Sequence, residues 1–344
     1  MSDDNYSRAD KLLHQLVLGG RSMSNLLFDI ETARYGRKLP SPAQGHHVFI
    51  SGLARAGTTL CLNILHESQQ FASLTYRDMP LVMAPNLWRS MSSGHAKQSE
   101  LRERAHGDGV LVNADSPEAL EEVFWRTFEG SNYILSDQLV PMTAHVDTLK
   151  AFRKYVALIL HRYDKQRYLS KSNNSILRLP SIARAFPNAT ILIPFRHPAA
   201  HANSLLRQHE RFLEDHKKNR FSRKYMTWLG HHEFGADHRR FQFSQNQVKG
   251  DPQQIEYWVR LWRDVYAYLL DTHAQLNARA RFVCYEDLVS DFDAKSARMS
   301  EALEVEFSTS TVINRPPDPP DFGGPDLEHA IALYERLRSH PASL

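Results

Sequence analysis

The segment GLARAGTT, residues 52–59, constrains the fold of this chain more than any other stretch. Its glycines, Gly52 and Gly57, have the spacing G-x-x-x-x-G and stand between a predicted buried strand, residues 46–52, and a predicted helix, residues 56–68. A strand, a glycine-bearing turn and a helix form the first part of a βαβ unit. The backbone N–H groups of such a loop and the positive end of its helix are typical of an anion site, above all for phosphate.

The residues inside the loop distinguish between kinds of phosphate chemistry. Nucleotide triphosphatases place a lysine directly after the second glycine, where it contacts the β- and γ-phosphates. This chain has Thr58 there, and its basic residue is Arg55, within the loop. The pattern therefore predicts an anion-binding loop that departs from the triphosphatase type. A nucleotide-dependent P-loop kinase stays open as an alternative function, as does a non-catalytic protein that binds an adenine nucleotide.

Strands and helices alternate along most of the chain, which predicts an α/β fold with a parallel sheet. The clearest buried strand is ATILIPF, residues 189–195, and we expect one domain over residues 1–344, with N-terminal helices in 1–45 and a proline-rich tail in 315–344. Further strands are predicted at residues 71–74, 167–170 and 281–285. Helices are predicted at residues 80–88, 116–128, 145–163, 175–186, 198–214, 251–277, 291–305 and 327–337.

A second strand-to-helix junction carries another cation. In PFRHPAAHANS, residues 194–204, Arg196 ends the predicted strand and Ser204 follows eight residues later on the next helix. A cation at a helix N-terminus opposes the helix dipole unless an anion lies between them. Arg196 therefore indicates a second anion site, and its planar guanidinium suits a terminal phosphate.

Both motifs, in this order, resemble those of the sulfotransferase family, in particular its bacterial and Golgi-type members. GLARAGTTL is similar to the family's 5′-phosphosulfate loop, and PFRHPAAHANS is similar to its 3′-phosphate segment. The stretches KSNNSILRLPSIARAFPNATILIPFRHP and FVCYEDLVSD resemble the corresponding family segments, so the likeness covers about residues 46–304. It implies the sulfotransferase fold, a single P-loop-like α/β domain with a central parallel sheet flanked by helices.

The resemblance also implies a donor and the residues that bind it. The expected co-substrate is 3′-phosphoadenosine 5′-phosphosulfate, whose 3′-phosphate is assigned to Arg196 and Ser204. No metal is expected, because arginine and backbone dipoles can stabilise transfer of a sulfuryl group, which carries less negative charge than a phosphoryl group. The loop residues assigned to the 5′-phosphosulfate are Arg55, Ala56, Gly57, Thr58 and Thr59.

Direct transfer of a sulfuryl group to a hydroxyl or amine benefits from a general base beside the acceptor. Asp78, in TYRDMP, follows the second predicted strand, near the edge of the sheet where α/β sites form. Golgi-type sulfotransferases carry a base glutamate in this part of the chain. His106, in RAHGDG, is the second candidate, by its similarity in position to the base histidine of cytosolic sulfotransferases. The expected catalytic residues are Asp78, His106 and Arg55.

Other polar groups admit two interpretations each. Lys171, at the end of a predicted strand, is either a ligand of the donor sulfate or part of a surface ion pair. Glu118, Glu121 and Glu122 fall in the first turns of a predicted helix, where acidic residues favour the dipole, and are interpreted as structural. The polar, histidine-rich stretch 219–250 lacks strong periodicity, which predicts a lid or insertion. Its segment HHEFGADH, residues 231–238, is interpreted as a loop over an acceptor pocket or plain surface rather than as a metal site.

Composition excludes several other classes of protein. The net charge is only +3, from 42 basic and 39 acidic residues, so no nucleic acid partner is expected. The longest apolar runs, such as residues 155–160, are far shorter than the ~20 residues of a membrane span. Two cysteines are too few for a disulfide framework, and we expect a cytoplasmic protein. The acceptor is open among small molecules, lipids and saccharides, and the oligomeric state is open.

Overall fold

The computed structural model of the chain describes residues 7–92, 102–103, 111–243, 249–276, 279–306 and 320–344. The strands are β1 (Val48–Ile50), β2 (Phe71–Ala72), β3 (Arg102–Glu103), β4 (Leu111–Val112), β5 (Gln138–Leu139), β6 (Arg167–Lys171), β7 (Thr190–Phe195), β8 (Arg240–Phe241) and β9 (Ala280–Cys284). The helices are α1 (Arg8–Leu18), α2 (Arg21–Tyr35), α3 (Thr58–Glu67), α4 (Pro85–Ser92), α5 (Glu122–Tyr133), α6 (Val146–Tyr163), α7 (Leu179–Ala185), α8 (Pro198–Lys218), α9 (Arg220–Trp228), α10 (Ile255–His273), α11 (Tyr285–Ser290), α12 (Phe292–Leu303) and α13 (Pro325–Arg338).

A five-stranded sheet forms the centre of the fold, in the order β2–β6–β1–β7–β9. All four of its ladders are parallel, and Ile50 of β1 lies opposite Lys171 of β6 and Leu192 of β7. The carboxyl ends of parallel strands meet at one edge of a sheet, where sites of α/β proteins form. The predicted α/β fold with a central parallel sheet is therefore confirmed, and the loop after β1 lies in the middle of that edge.

Helices cover both faces of the sheet because the side chains of each strand alternate between them. Val48 and Ile50 pack in one apolar cluster with residues of α3 and α12. Phe49 points to the other face, where its ring lies 6.2 Å from that of Phe152 and 5.6 Å from that of Phe186. Both faces are buried, as a parallel sheet requires.

The helix predicted to begin at Ser116 begins six residues later, at Glu122. The intervening backbone pairs instead with the chain that follows β2: the N–H of Glu118 donates to the carbonyl of Leu74 over 3.0 Å, and Pro117 forms a bridge with Thr75. A long-range pairing thus overrides a good local helix signal. The stretch 219–250 also differs from the prediction, since it contains α9.

The end of the chain belongs to the sheet layer. The N–H of Phe282 in β9 donates to the carbonyl of Ala342, and the N–H of Leu344 donates to the carbonyl of Phe282. α13 packs beside α10, where Arg263 forms an ion pair with Asp326 at 2.7 Å. Among the described residues, no helix has the length and apolar character needed to cross a membrane.

Candidate functional site

The loop between β1 and α3 lies against the neighbouring strand β7. The N–H of Ser51 donates to the carbonyl of Leu192 over 2.9 Å. Gly57 precedes α3 with a φ of +94°, a conformation that glycine adopts without cost. A Cβ atom at Gly57 would also lie 2.7 Å from the Tyr285 ring. The predicted strand, loop and helix are confirmed. The first N–H groups of a helix have no acceptor within it, so those of α3 are available to a ligand at this loop.

Arg55 joins the two motifs that the sequence singles out. It adopts a left-handed conformation with a φ of +72°, and its Nε donates to the Oγ of Ser204 over 3.3 Å. The two residues are separated by 149 positions in the chain. The structure therefore brings a predicted 5′-phosphosulfate residue and a predicted 3′-phosphate residue into direct contact.

Arg196 follows β7 at the same edge and is only 9 % exposed. Its guanidinium lies 4.9 Å from the centre of the Tyr285 ring, and its Nε is 3.7 Å from a carboxylate oxygen of Glu286. That buried Nε makes no hydrogen bond to any described residue. Burial lowers the pKa of Arg196, and the positive charge of Arg55 lowers it further. Two guanidinium groups whose positive charges repel each other in this way are expected to attract an anion.

His201 fixes the loop to α8. It has no exposed surface, and its Nε2 lies 2.8 Å from the carbonyl oxygen of Ala54. Burial lowers the pKa of His201 to about 3, so the ring is neutral at physiological pH, and its Nε2–H donates to that carbonyl. His201 is a positioning residue that the sequence did not identify.

Tyr285 and Glu286 contact the residues of the candidate site, and sequence reasoning did not identify them. Both follow β9 directly, at the edge of the sheet where the loop lies. Glu286 accepts a hydrogen bond from the N–H of His197 over 3.0 Å, and Tyr285 packs against both Gly57 and Arg196. Their place immediately after a buried strand is the signal that would have identified them.

Lys171 lies at the end of β6, beside the loop. It is 8 % exposed and in register with Ile50, so it does not lie on the surface. The next residue, Ser172, donates from its N–H to the carbonyl of Ile50 over 3.1 Å and from its hydroxyl to Glu122 over 2.8 Å. Lys171 therefore adds a third cation to the edge of the sheet that carries Arg55 and Arg196.

Asp78 lies in a different environment from the one expected of a base. It has no exposed surface, and its Oδ2 accepts hydrogen bonds from the N–H of Thr75 over 2.9 Å and from the hydroxyl of Tyr163 over 2.5 Å. Burial raises the pKa of Asp78, while Tyr163 and Thr75 counteract that shift. The geometry does not support the prediction of a catalytic base here, because a fully buried carboxylate that closes a turn has no path to an acceptor proton. His106, the second candidate, lies outside the described residues.

Comparison with known proteins gives the family. A family model described as "Sulfotransferase family" matches residues 47–309. The crystal structure of sulfotransferase STF1 from Mycobacterium tuberculosis H37Rv is similar, with a TM-score of 0.52 and 14 % identity over 97 % of this chain and 83 % of that chain. The crystal structure of sulfotransferase STF9 from Mycobacterium avium has a TM-score of 0.49 and 12 % identity over 99 % of this chain and 79 % of that chain. No curated protein matches the sequence.

Proposed function

Because this chain belongs to the sulfotransferase family, we propose that it transfers a sulfuryl group from 3′-phosphoadenosine 5′-phosphosulfate to an acceptor hydroxyl or amine by direct in-line attack. The observation that carries the proposal is the contact between Arg55 and Ser204. Arg196 is close enough to Arg55 that the two positive charges repel each other. A ligand with two separated anionic groups satisfies both cations at once.

The residues present fit such a donor. The N–H groups of residues 57–59, with Arg55 and the hydroxyls of Thr58 and Thr59, would hold the 5′-phosphosulfate at the N-terminus of α3. The N–H of Ala56 donates to the carbonyl of Leu53 over 3.3 Å and would have to turn to the ligand. Arg196 and Ser204 would hold the 3′-phosphate, and the buried Nε of Arg196, which makes no hydrogen bond to described residues, is one donor available for it. The left-handed backbone at Arg55 and Gly57 gives the loop its turn around an anion.

The proposed chemistry needs positive charge beside the donor bond that breaks, which joins sulfur to a phosphate oxygen. The acceptor attacks the sulfur atom while the bond from sulfur to the phosphate oxygen breaks, so negative charge develops on that oxygen. Arg55 and the amides of the loop would stabilise this charge, and Lys171, at the end of the adjacent strand, would add to it. Because these groups are fixed by β1, β6 and α8, little reorganisation is needed at the moment of transfer.

Arg196→Ala is expected to weaken the binding of 3′,5′-adenosine bisphosphate on the order of 10- to 150-fold, because loss of a charged hydrogen-bond partner costs about 1.5–3 kcal/mol. Binding of 5′-AMP, which lacks the 3′-phosphate, should change much less. Isothermal titration calorimetry of both nucleotides measures the difference. Arg298→Ala, an exposed arginine on α12, is the matched control. Equal losses for the two nucleotides would show that Arg196 does not contact the 3′-phosphate.

Turnover is expected to be unchanged by EDTA or added magnesium. Arg55, Lys171 and the amides of the loop would supply the positive charge that a triphosphatase takes from its lysine and metal. The assay follows transfer of radiolabelled sulfate with and without chelator, beside phosphoryl transfer from ATP. Activity that EDTA abolishes and magnesium restores would favour the kinase alternative.

A screen of acceptors with the radiolabelled donor tests the proposed function as a whole. We expect transfer to at least one class among phenols, saccharides and lipid alcohols. The compartment that we propose is the cytoplasm, where the free thiols of Cys61 and Cys284 stay reduced. A protein that binds 3′,5′-adenosine bisphosphate and transfers sulfate to none of them would instead be a non-catalytic nucleotide-binding protein.

A further inference from the structure

A histidine and a carboxylate form a pair beside the end of β6. The Nδ1 of His231 lies 3.5 Å from a carboxylate oxygen of Glu233, and their side chains are 15 % and 8 % exposed. Asn173, in the turn after β6, donates from its Nδ2 to the same oxygen of Glu233 over 2.9 Å. Asn174 donates from its Nδ2 to the carbonyl of Gly230 over 2.9 Å. The segment 230–233 is therefore fastened to the carboxyl end of β6.

This attachment places His231 at the edge of the sheet that carries the loop. β6 is the neighbour of β1, and Lys171 and Ser172 immediately precede the two asparagines. The charges of Lys171 and Glu118 both act on His231. Arg55 and Arg196 follow β1 and β7, so His231 lies on the β6 side of them.

We propose that His231 is the catalytic base that takes the proton of the acceptor, and that Glu233 is its positioning residue. This inference rests on the proposed function. Nδ1 lies 3.5 Å from the Glu233 carboxylate, which favours a proton on Nδ1 and leaves Nε2 as the nitrogen that accepts one. The His231 side chain is 15 % exposed, whereas Asp78 has no exposed surface.

The proton transfer completes the balance of the reaction. The acceptor oxygen forms a bond to sulfur, and its proton moves to Nε2 of His231. The bond between sulfur and the phosphate oxygen breaks, and its electron pair leaves with 3′-phosphoadenosine 5′-phosphate. The imidazolium that results is stabilised by Glu233 and returns its proton to water after the products leave.

The charges around His231 suit a base. Burial alone would lower the pKa of His231, but the adjacent Glu233 carboxylate outweighs it and raises that pKa. Lys171 lowers the pKa and Glu118 raises it, so these two contributions oppose each other. His232 adds no charge at neutral pH, because burial lowers its pKa to about 4.

Glu118 is another carboxylate whose charge acts on His231, and its oxygens are already engaged. Its Oε2 accepts from the hydroxyl of Tyr76 over 2.5 Å, and its Oε1 accepts from the N–H of Ala119 over 2.7 Å. A carboxylate held in this way is a weaker base than an imidazole whose second nitrogen faces away from its partner. The hydrogen bonds therefore favour His231.

Two acceptors of similar shape show whether His231 acts as a base or only has a structural role. At mildly alkaline pH, 4-nitrobenzyl alcohol keeps its proton, whereas 4-nitrophenol is largely ionised and has none to lose. His231→Gln should lower kcat/KM for the alcohol by about 10²- to 10⁴-fold and for the phenol by far less. Binding of 3′,5′-adenosine bisphosphate should stay as in the wild type, and His46→Gln, a half-exposed histidine, is the control.

The outcomes distinguish this inference from the proposed function. Equal activity of wild type and His231→Gln with the alcohol, or equal losses with both acceptors, overturns the role of His231 alone. A wild type that transfers sulfate to neither acceptor counts against the proposed function for alcohols and phenols, and against this inference with it.

Glu233→Gln tests the role of Glu233 as a positioning residue, and the measured quantity is the pKa of His231 rather than the rate alone. Removal of the negative charge should lower the pKa of His231, so the acidic limb of the profile of kcat/KM against pH moves to lower pH. NMR titration of the His231 ring in the free protein should show the same displacement. An unchanged His231 titration in Glu233→Gln overturns the pairing.

Discussion

Arg55→Ala should lower kcat by at least ~10²-fold, because a guanidinium aimed at the charge that develops in the transition state is lost. Arg55 lies inside the loop with a φ of +72°, and its contact with Ser204 holds the side chain at the edge of the sheet. Alanine keeps the backbone of the loop but removes the charge. Turnover of radiolabelled donor with an acceptor from the screen measures the loss.

The controls for Arg55 separate charge from fold. Arg55→Lys keeps the charge and loses the planar fork, so it should recover part of the rate. Arg298→Ala, exposed on α12, should retain wild-type turnover. Thermal denaturation should show that Arg55→Ala is folded. A purified, folded Arg55→Ala protein with wild-type kcat would remove Arg55 from the catalytic machinery.

Arg178→Met is expected to lower the free energy of unfolding by about 3–5 kcal/mol, because it leaves the buried Glu122 carboxylate without its ionic partner. Arg178 and Glu122 form an ion pair whose side chains are 0 % and 2 % exposed. The guanidinium also lies 4.7 Å from the centre of the Trp125 ring and 5.1 Å from that of Tyr133. Urea unfolding of the ligand-free protein measures the change.

Two further variants test whether burial is the cause. The double variant Arg178→Met with Glu122→Gln removes both charges and should be more stable than Arg178→Met alone. Arg338→Met breaks an ion pair with Asp287 that is 40 % and 24 % exposed, and should cost no more than about 1 kcal/mol. If Arg178→Met and Arg338→Met lower the free energy of unfolding equally, burial of the ion pair does not increase its effect on stability.

The sequence alone predicts the local features of the loop and of the cations beside it. The strand, loop and helix around Gly57 follow from a short buried strand, the spacing of two glycines and an apolar helix face, all of which are contiguous in the chain. Arg196 is placed by the same reasoning at the end of β7. These predictions are correct because the carboxyl ends of parallel strands lie at one edge of the sheet. A residue directly after a strand is therefore already placed near that edge.

The environment of the candidate bases was decided only by the tertiary structure. Asp78 follows a strand as expected, yet Thr75 and Tyr163 enclose it, and no local pattern reports that burial. His231 and Glu233 stand in a stretch with no recognisable motif, and Asn173 ties them to β6 from 60 residues away. Burial and hydrogen-bond partners depend on segments distant in the chain, because packing free energy is gained only when those segments meet. The sequence therefore determined the sheet, the loop and its cations, whereas the exposure and pairing of the candidate bases came from long-range packing.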